Sequence, residues 1–191
     1  MQKLIEAIRR YVTLDESDKQ IILGLAETRE LKKNEYFLEP GTICNNFAFI
    51  EKGLLRHSIF DDDGEEKTIY FSSDNDFICD IESFISRKTS GKSIMALEDT
   101  TLACISYANM QVFYRQVSSG ERFGRLYMEE IYNKVINHII SMHTDSAQQK
   151  YQNFLSSYHH IQQRIPQYHI ASFVGVTPQS LSRIRRKIVN R

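Results

Sequence analysis

From Ser146 to Arg191 the chain contains no aspartate and no glutamate. The same stretch carries seven cations: Lys150, Arg164, Arg183, Arg185, Arg186, Lys187 and Arg191. All 24 acids therefore fall in residues 1–145, against 17 basic residues, so a formally neutral chain is a block of −7 followed by a block of +7. Blocks of opposite sign point to a nucleic acid or a membrane surface as partner of the basic one. Cysteine is scarce too. Cys44, Cys79 and Cys104 are odd in number and far apart, which excludes a disulfide framework, and a four-thiolate cluster would need a fourth. Long apolar runs are missing. Met1–Thr13 is helical in pattern but broken by Lys3, Glu6, Arg9 and Arg10, so it reads as neither a signal peptide nor a membrane span. That favours the cytoplasm. There are no internal repeats and no low-complexity tracts. Serine elbows, phosphate-cradling glycine loops and metal-binding helix motifs are absent. The histidines His57, His138, His143, His159, His160 and His169 lack zinc-ligand spacing. Neither an enzyme nor a metal site is expected.

What is present is ordinary for a globular protein: 41% hydrophobic and 25% charged over 191 residues, enough for one full core and a small second unit. Thr13-Leu14-Asp15-Glu16 fits a capping box opening a helix to about Ala26. The period then shortens. Glu35–Leu38, Phe47–Glu51, Leu54–Phe60, Lys67–Phe71, Ser93–Leu97 and Thr101–Ser106 read as strands. Asp61-Asp62-Asp63-Gly64 forms the hairpin turn before Lys67, and Thr68 and Tyr70 should face away from Ile69 and Phe71. Short strands at this density predict a small antiparallel barrel or jelly roll.

Helical spacing returns over Asn109–Val117 and, after Ser118-Ser119-Gly120, over Glu121 to about His143. The long helix carries Phe123, Tyr127, Ile131, Val135, His138 and Met142 at steps of three or four, widened by Ile136, Ile139 and Ile140. One reading buries this stripe against its own domain. The other, favoured because the stripe exceeds one packing contact, faces it to a second copy.

The acid-free tail resolves into faces. Residues 146–161 form a helix with Tyr151, Phe154, Leu155 and Tyr158 inward. A second covers Gln167–Val174, opened by Pro166 and ended by Gly175, which tolerates left-handed φ. Thr177 is a good N-cap and Pro178 a good first residue for a third helix, to about Val189. On it Leu181, Ile184 and Ile188 face inward, while Gln179, Ser182, Arg183, Arg186 and Asn190 recur outside. Glutamine can pair with adenine and arginine with guanine, while Lys187 and Arg185 can neutralise phosphates. Two short helices around a tight turn, the second basic outside, make a helix-turn-helix.

The segment Ile165–Ile184, Ile-Pro-Gln-Tyr-His-Ile-Ala-Ser-Phe-Val-Gly-Val-Thr-Pro-Gln-Ser-Leu-Ser-Arg-Ile, resembles the helix-turn-helix of the Crp/Fnr transcription regulators. The resemblance implies an α+β chain with three parts: a cyclic-nucleotide-binding-like jelly roll over 1–118, a dimerisation helix over 119–144, and a winged-helix head over 145–191. It implies that Gln179 and Arg183 touch base edges and that Pro178 and Ser180 lie at the groove and backbone. With Thr177, Ser182, Arg186 and Lys187 these are the expected DNA-binding residues. Phe123, Tyr127, Ile131, Val135, His138 and Met142 are the expected dimerisation residues. The chain stops soon after the third helix, so wing strands must precede the motif or be missing. Double-stranded DNA, a second copy and RNA polymerase are the implied partners, with no membrane.

The effector region departs from the family. Cyclic-nucleotide binders hold the ribose with Gly-Glu and the phosphate with Arg-Ser or Arg-Thr. Here Asp76–Phe84 puts Cys79 at the glycine, Asp80 at the glutamate and Glu82 at a second glycine; downstream, Ser90-Gly91-Lys92-Ser93 has no arginine. A phosphate needs open amides and a fixed cation, so cyclic AMP is not the expected ligand. Phe77, Cys79, Asp80, Glu82, Ser83, Lys92 and Ser93 mark the pocket, with Lys92 and Arg87 available to another anion. A barrel that binds nothing stands equally open. A sensor or scaffold acting through protein–protein contacts is the alternative function; a cupin-type enzyme lacks the His/Glu metal set.

Overall fold

The computed structural model describes residues 1–189. Asn190 and Arg191, the last outer-face residue and the last cation of the tail, lie outside the described residues. Asp15, rather than Thr13, caps the second helix. Its carboxylate accepts from the Asp18 N–H at 2.8 Å, and the Asp18 carboxylate accepts from the Asp15 N–H at 3.3 Å. This reciprocal box leaves Leu14 free to bury, which a cap at Thr13 would have drawn into the helix. The order begins α1 (Gln2–Arg9), α2 (Glu16–Leu25), β1 (Ala26–Leu31), β2 (Tyr36–Leu38), β3 (Asn46–Lys52) and β4 (Leu54–Phe60). It continues with β5 (Glu66–Ser73), β6 (Phe77–Ile78), α3 (Ile81–Ser86), β7 (Lys92–Ala96) and β8 (Thr100–Ser106). Five helices follow or close the barrel: α4 (Tyr107–Gln116), α5 (Gly120–Thr144), α6 (Ala147–Tyr158), α7 (Gln167–Val174) and α8 (Pro178–Val189).

The strands form two antiparallel four-stranded sheets, β1-β8-β3-β6 and β2-β7-β4-β5, facing each other as a jelly roll. β1 was not legible as a strand. Its sequence, Ala-Glu-Thr-Arg-Glu-Leu, has apolar residues only at its ends, because it lies at a sheet edge with four residues outside the core. Along β5 the expected alternation fails at Ile69. His57 pairs with Tyr70 but Ser58 pairs with Thr68, so Ile69 is the extra residue of a bulge. Gly53, at φ +133°, turns the chain from β3 to β4; a Cβ there would overlap the Thr100 side chain.

Two apolar clusters result. The first fills the barrel and draws in Leu4, Ile5 and Ile8 from α1, Phe113 from α4, and Phe123 and Tyr127 from α5. Tyr11 donates to Glu130 at 2.6 Å and so clasps the start of α5 to the barrel. The second cluster belongs to the tail helices, with Tyr151, Phe154, Ile161, Ile170, Val174 and Leu181, but it is completed by Leu54, Phe71 and Leu97 from the barrel. The basic head is thus seated on the outer face of the β2-β7-β4-β5 sheet. No strand occurs between 145 and 189, so over the described residues the head is helices only and the wing part of the expectation is not met.

Candidate DNA-binding surface and effector region

α7 ends at Gly175 with φ +78°, Val176 tucks against the second core, and the Thr177 hydroxyl accepts from the Ser180 N–H at 3.2 Å. This turn sets α8 against α7 through Leu181, with Ile184 and Ile188 partly covered beside it. The opposite face is exposed: Thr177, Pro178, Gln179, Ser182, Arg183, Arg186 and Lys187, with Ser180 half-buried. Gln179, Ser182, Arg183 and Arg186 follow at i, i+3, i+4 and i+7, one line along the helix. No ion pair engages Arg183, Arg186 or Lys187 among the described residues.

The other tail cations among the described residues are already committed. Arg164 donates to Asp74 at 2.8 Å, to the Gly53 carbonyl at 3.1 Å, and to both oxygens of Glu98. This cation of the head therefore binds barrel acids. Lys150 donates to the Met142 carbonyl and Arg185 to Gln167. Beneath the head, buried Arg56 donates to Glu66 at 2.6 Å and to Thr68 at 2.7 Å, and Ser58 also binds Glu66. The Thr68 N–H in turn donates to Ser172 of α7 at 2.9 Å.

Above this network His169 is buried, and its pKa is pulled down to about 4 by burial, with Arg56 adding to the effect. Burial lowers His57, inside the barrel beside Ser72, to about 4 as well. A folded-state pKa below the unfolded value of 6.5 means that the unfolded chain binds more protons between those limits. Stability is therefore highest above pH 6.5 and falls as pH drops towards 4, with a slope of up to ~1.4 kcal/mol per pH unit per imidazole. Urea unfolding of the wild type and His169→Gln across that range should show a shallower slope in the variant; parallel slopes would count against it.

Of the residues expected in the effector pocket, only three come together. Lys92 lies 2.6 Å from Asp80 and 3.6 Å from exposed Glu82, and buried Asp80 also accepts from Ser90 at 2.6 Å. The other four do not join them. Phe77 stacks on Phe47 and meets Tyr127 edge-on in the barrel core. Cys79 turns to Cys44. Ser83 accepts from the Cys44 N–H and donates to the Lys88 carbonyl, while Ser93 reaches Ser58 on the head side of the sheet. β7 alternates faces, which separates Lys92 from Ser93. Nor is Arg87 open to an anion: it donates to the Cys44 carbonyl and covers the Tyr107 ring at 4.4 Å. No group of three or more metal-ligating side chains occurs among the described residues.

Most of the residues expected at a dimer seam are covered within their own subunit. Phe123 and Tyr127 are buried in their own barrel, Ile131 packs partly against it, and His138 stacks on Phe173 of the head at 5.3 Å. Only Val135 and Met142 of that set are exposed. The exposed apolar line of α5 is Met128, Tyr132, Val135, Ile139 and Met142, at steps of four, three, four and three. That 3.5-residue repeat is the a/d spacing of a coiled coil, legible in the sequence once the inward stripe is assigned separately.

The two-sheet barrel, the long helix and the helical head recur in solved regulators. Residues 28–117 match the family model of the cyclic nucleotide-binding domain. Among solved structures, FixK2 from Bradyrhizobium japonicum aligns at TM-score 0.73 and 14% identity, covering 86% of this chain and 85% of that one. A protein from Eubacterium rectale assigned to the crp/fnr family of transcriptional regulators gives 0.71 at 21% identity, covering 91% and 83%. The c-di-GMP responsive global regulator CLP of Xanthomonas campestris gives 0.70 at 14%, covering 92% of each. The chain has the Crp/Fnr fold. No curated protein matches its sequence. Within the Crp/Fnr fold the stretch matched by the family model is the barrel from Thr28 onward and α4. No helix among the described residues is long and apolar enough to cross a membrane.

Proposed function

We propose that this protein is a transcription regulator of the Crp/Fnr type, a cytoplasmic homodimer that binds a pseudo-palindromic duplex. Residues 1–118 act as the effector unit, 119–144 as the dimer helix and 145–191 as the DNA-binding head. One observation carries the reading: α8 is anchored by Leu181 and presents Gln179, Ser182, Arg183 and Arg186 outward in a 46-residue stretch without an acid. Two such helices about 34 Å apart would enter successive major grooves. Gln179 and Arg183 read bases, with Arg186 one turn further along the same line; Lys187 holds phosphate. Arg164, tied to Asp74 and Glu98, serves the joint rather than DNA.

The effector is not a cyclic nucleotide in this reading. A phosphate at Lys92 would have to displace Asp80 from 2.6 Å and lie beside Glu82, and a carboxylate left behind repels it. If a small molecule works through the barrel, it acts by differential affinity for two settings of α5 and the head.

Selection of bound fragments from a random duplex library tests the function. The expected result is enrichment of palindromic half-sites with binding that weakens steeply with salt. Weak, sequence-blind binding would instead favour a sensor acting through protein contacts. On the selected site, Arg183→Ala should lose roughly 1–3 kcal/mol and relax preference at one base pair of each half-site. Unchanged affinity and preference in a gel-shift or anisotropy titration would remove Arg183 from that role.

A further inference from the structure

We propose that Cys44 and Cys79 are a redox-active pair that closes into an intrachain disulfide on exposure to a hydroperoxide. Cys44 lies in the loop between β2 and β3, and Cys79 lies between β6 and Asp80, the N-cap of α3. Their sulfurs are 3.9 Å apart, so forming a bond of about 2.05 Å asks for an approach of about 2 Å. Cys44 is held to α3 and its C-cap at both backbone groups: its N–H donates to Ser83 at 3.0 Å and its carbonyl accepts from Arg87 at 3.0 Å. That anchoring ties the Cys44 loop to the helix that Cys79 precedes by two residues.

The two thiols differ in acidity, as an attacking and a resolving sulfur should. Cys44 is drawn down to about 7, chiefly by its hydrogen bond with Cys79, with the Asp80 backbone N–H contributing. Cys79 is pushed well up by burial and by Cys44. Cys79 also lines a cavity of about 480 Å³ with Ile81, Phe84, Tyr107, Tyr114 and Met128, so a small oxidant reaches the buried Cys44 past the Cys79 sulfur 3.9 Å away. Cys104, on β8, is raised to about 11 by burial, so it stays a thiol and serves as an internal control.

The reaction balances with the peroxide as oxidant. The Cys44 thiolate attacks one peroxide oxygen, the O–O bond breaks, and the departing hydroxide takes a proton to become water. Cys44 is then a sulfenic acid. The Cys79 sulfur attacks the Cys44 sulfur, the S–O bond breaks, and hydroxide leaves with the Cys79 proton as a second water. Two thiols have given two electrons to the peroxide. The new bond ties the 42–45 loop to the residue beside Asp80, whose carboxylate holds Lys92 and Ser90. Oxidation thus acts on the part of the barrel where the resemblance places an effector, and it does so whether or not the head reads DNA.

The test uses the full chain, hydrogen peroxide, and alkylation followed by intact-mass and peptide analysis. Three alkylated cysteines are expected before oxidation and one after, with dithiothreitol restoring three. The linked peptides should join Cys44 to Cys79. Cys104→Ser should form the same disulfide as the wild type, and Cys79→Ser should trap Cys44 as a sulfenic acid that a cyclic dione labels. If Cys79→Ser fails to fold, wild-type mapping and Cys104→Ser decide the matter alone. Three thiols persisting at peroxide levels that oxidise free cysteine would overturn the proposal. So would a link through Cys104 or between two chains.

Discussion

A Val135→Asp/Ile139→Asp variant should sediment as a monomer and lose roughly 10²–10⁴-fold in affinity for a palindromic duplex, with its helix content intact. Both side chains are about half exposed on α5, at 50% and 47%, so the substitutions touch neither apolar core. In a paired seam each would be covered by the partner copy. Burying such a side chain contributes about 1.5–3 kcal/mol, and the variant removes two from each protomer while placing four carboxylates in the seam. The loss on DNA follows from linkage: two heads on one helix pair hold the duplex at a high effective concentration, and single heads do not. Sedimentation velocity checks the first effect and anisotropy titration on full and half sites the second. A variant that remains dimeric would move the interface off this line. The same change at Phe123 or Tyr127 would unfold the barrel instead, because those residues are spent inside their own subunit.

Phe71→Ala should cost about 3–5 kcal/mol of stability. For a chain of this size that is a fall in Tm of roughly 6–20 °C. Phe71 belongs to β5 but is fully buried in the head's cluster, with ring centroids 5.7 Å from Tyr158, 5.7 Å from Phe173 and 6.2 Å from Phe154. Its removal opens a cavity at the joint rather than in the barrel. Hydrogen exchange should therefore rise first in α6 and α7, while β3 and β8 keep their protection. Uniform loss across the whole chain would show that head and barrel unfold as one unit. Phe60→Ala is the control, since Phe60 is 52% exposed and should change stability by only about 0.5 kcal/mol.

The tail was legible because each of its decisions is local. Gly175 needs positive φ, Thr177 caps the next turn, and Leu181, Ile184 and Ile188 mark one face by spacing alone. The barrel strands with alternating or branched residues were legible for the same reason. β1 was not, because an edge strand with four solvent-facing residues carries no periodic apolar signal. The bulge at Ile69 was not either, since register belongs to the pair of strands and not to one of them. The effector region shows the limit most clearly. The resemblance places Cys79, Asp80 and Lys92 in one pocket, yet the fold turns Cys79 towards Cys44 and closes Lys92 on Asp80.

Read alone, the sequence determined the order barrel, long helix, basic helix-turn-helix, and it separated the charge into two blocks. Those properties depend on neighbours three or four positions away, so they survive without any tertiary information. Which cations remain outward was decided only by the tertiary structure. Arg164 looked like any other tail cation until the fold brought it to Asp74, 90 residues away, and to Glu98, 66 residues away. The same holds for the long helix. Spacing marks an apolar stripe on α5, but only the barrel's shape assigns Phe123 and Tyr127 to its own core and leaves Met128, Tyr132, Val135, Ile139 and Met142 uncovered. Periodicity says that a face is apolar; what covers it is set by contacts between segments far apart in the chain.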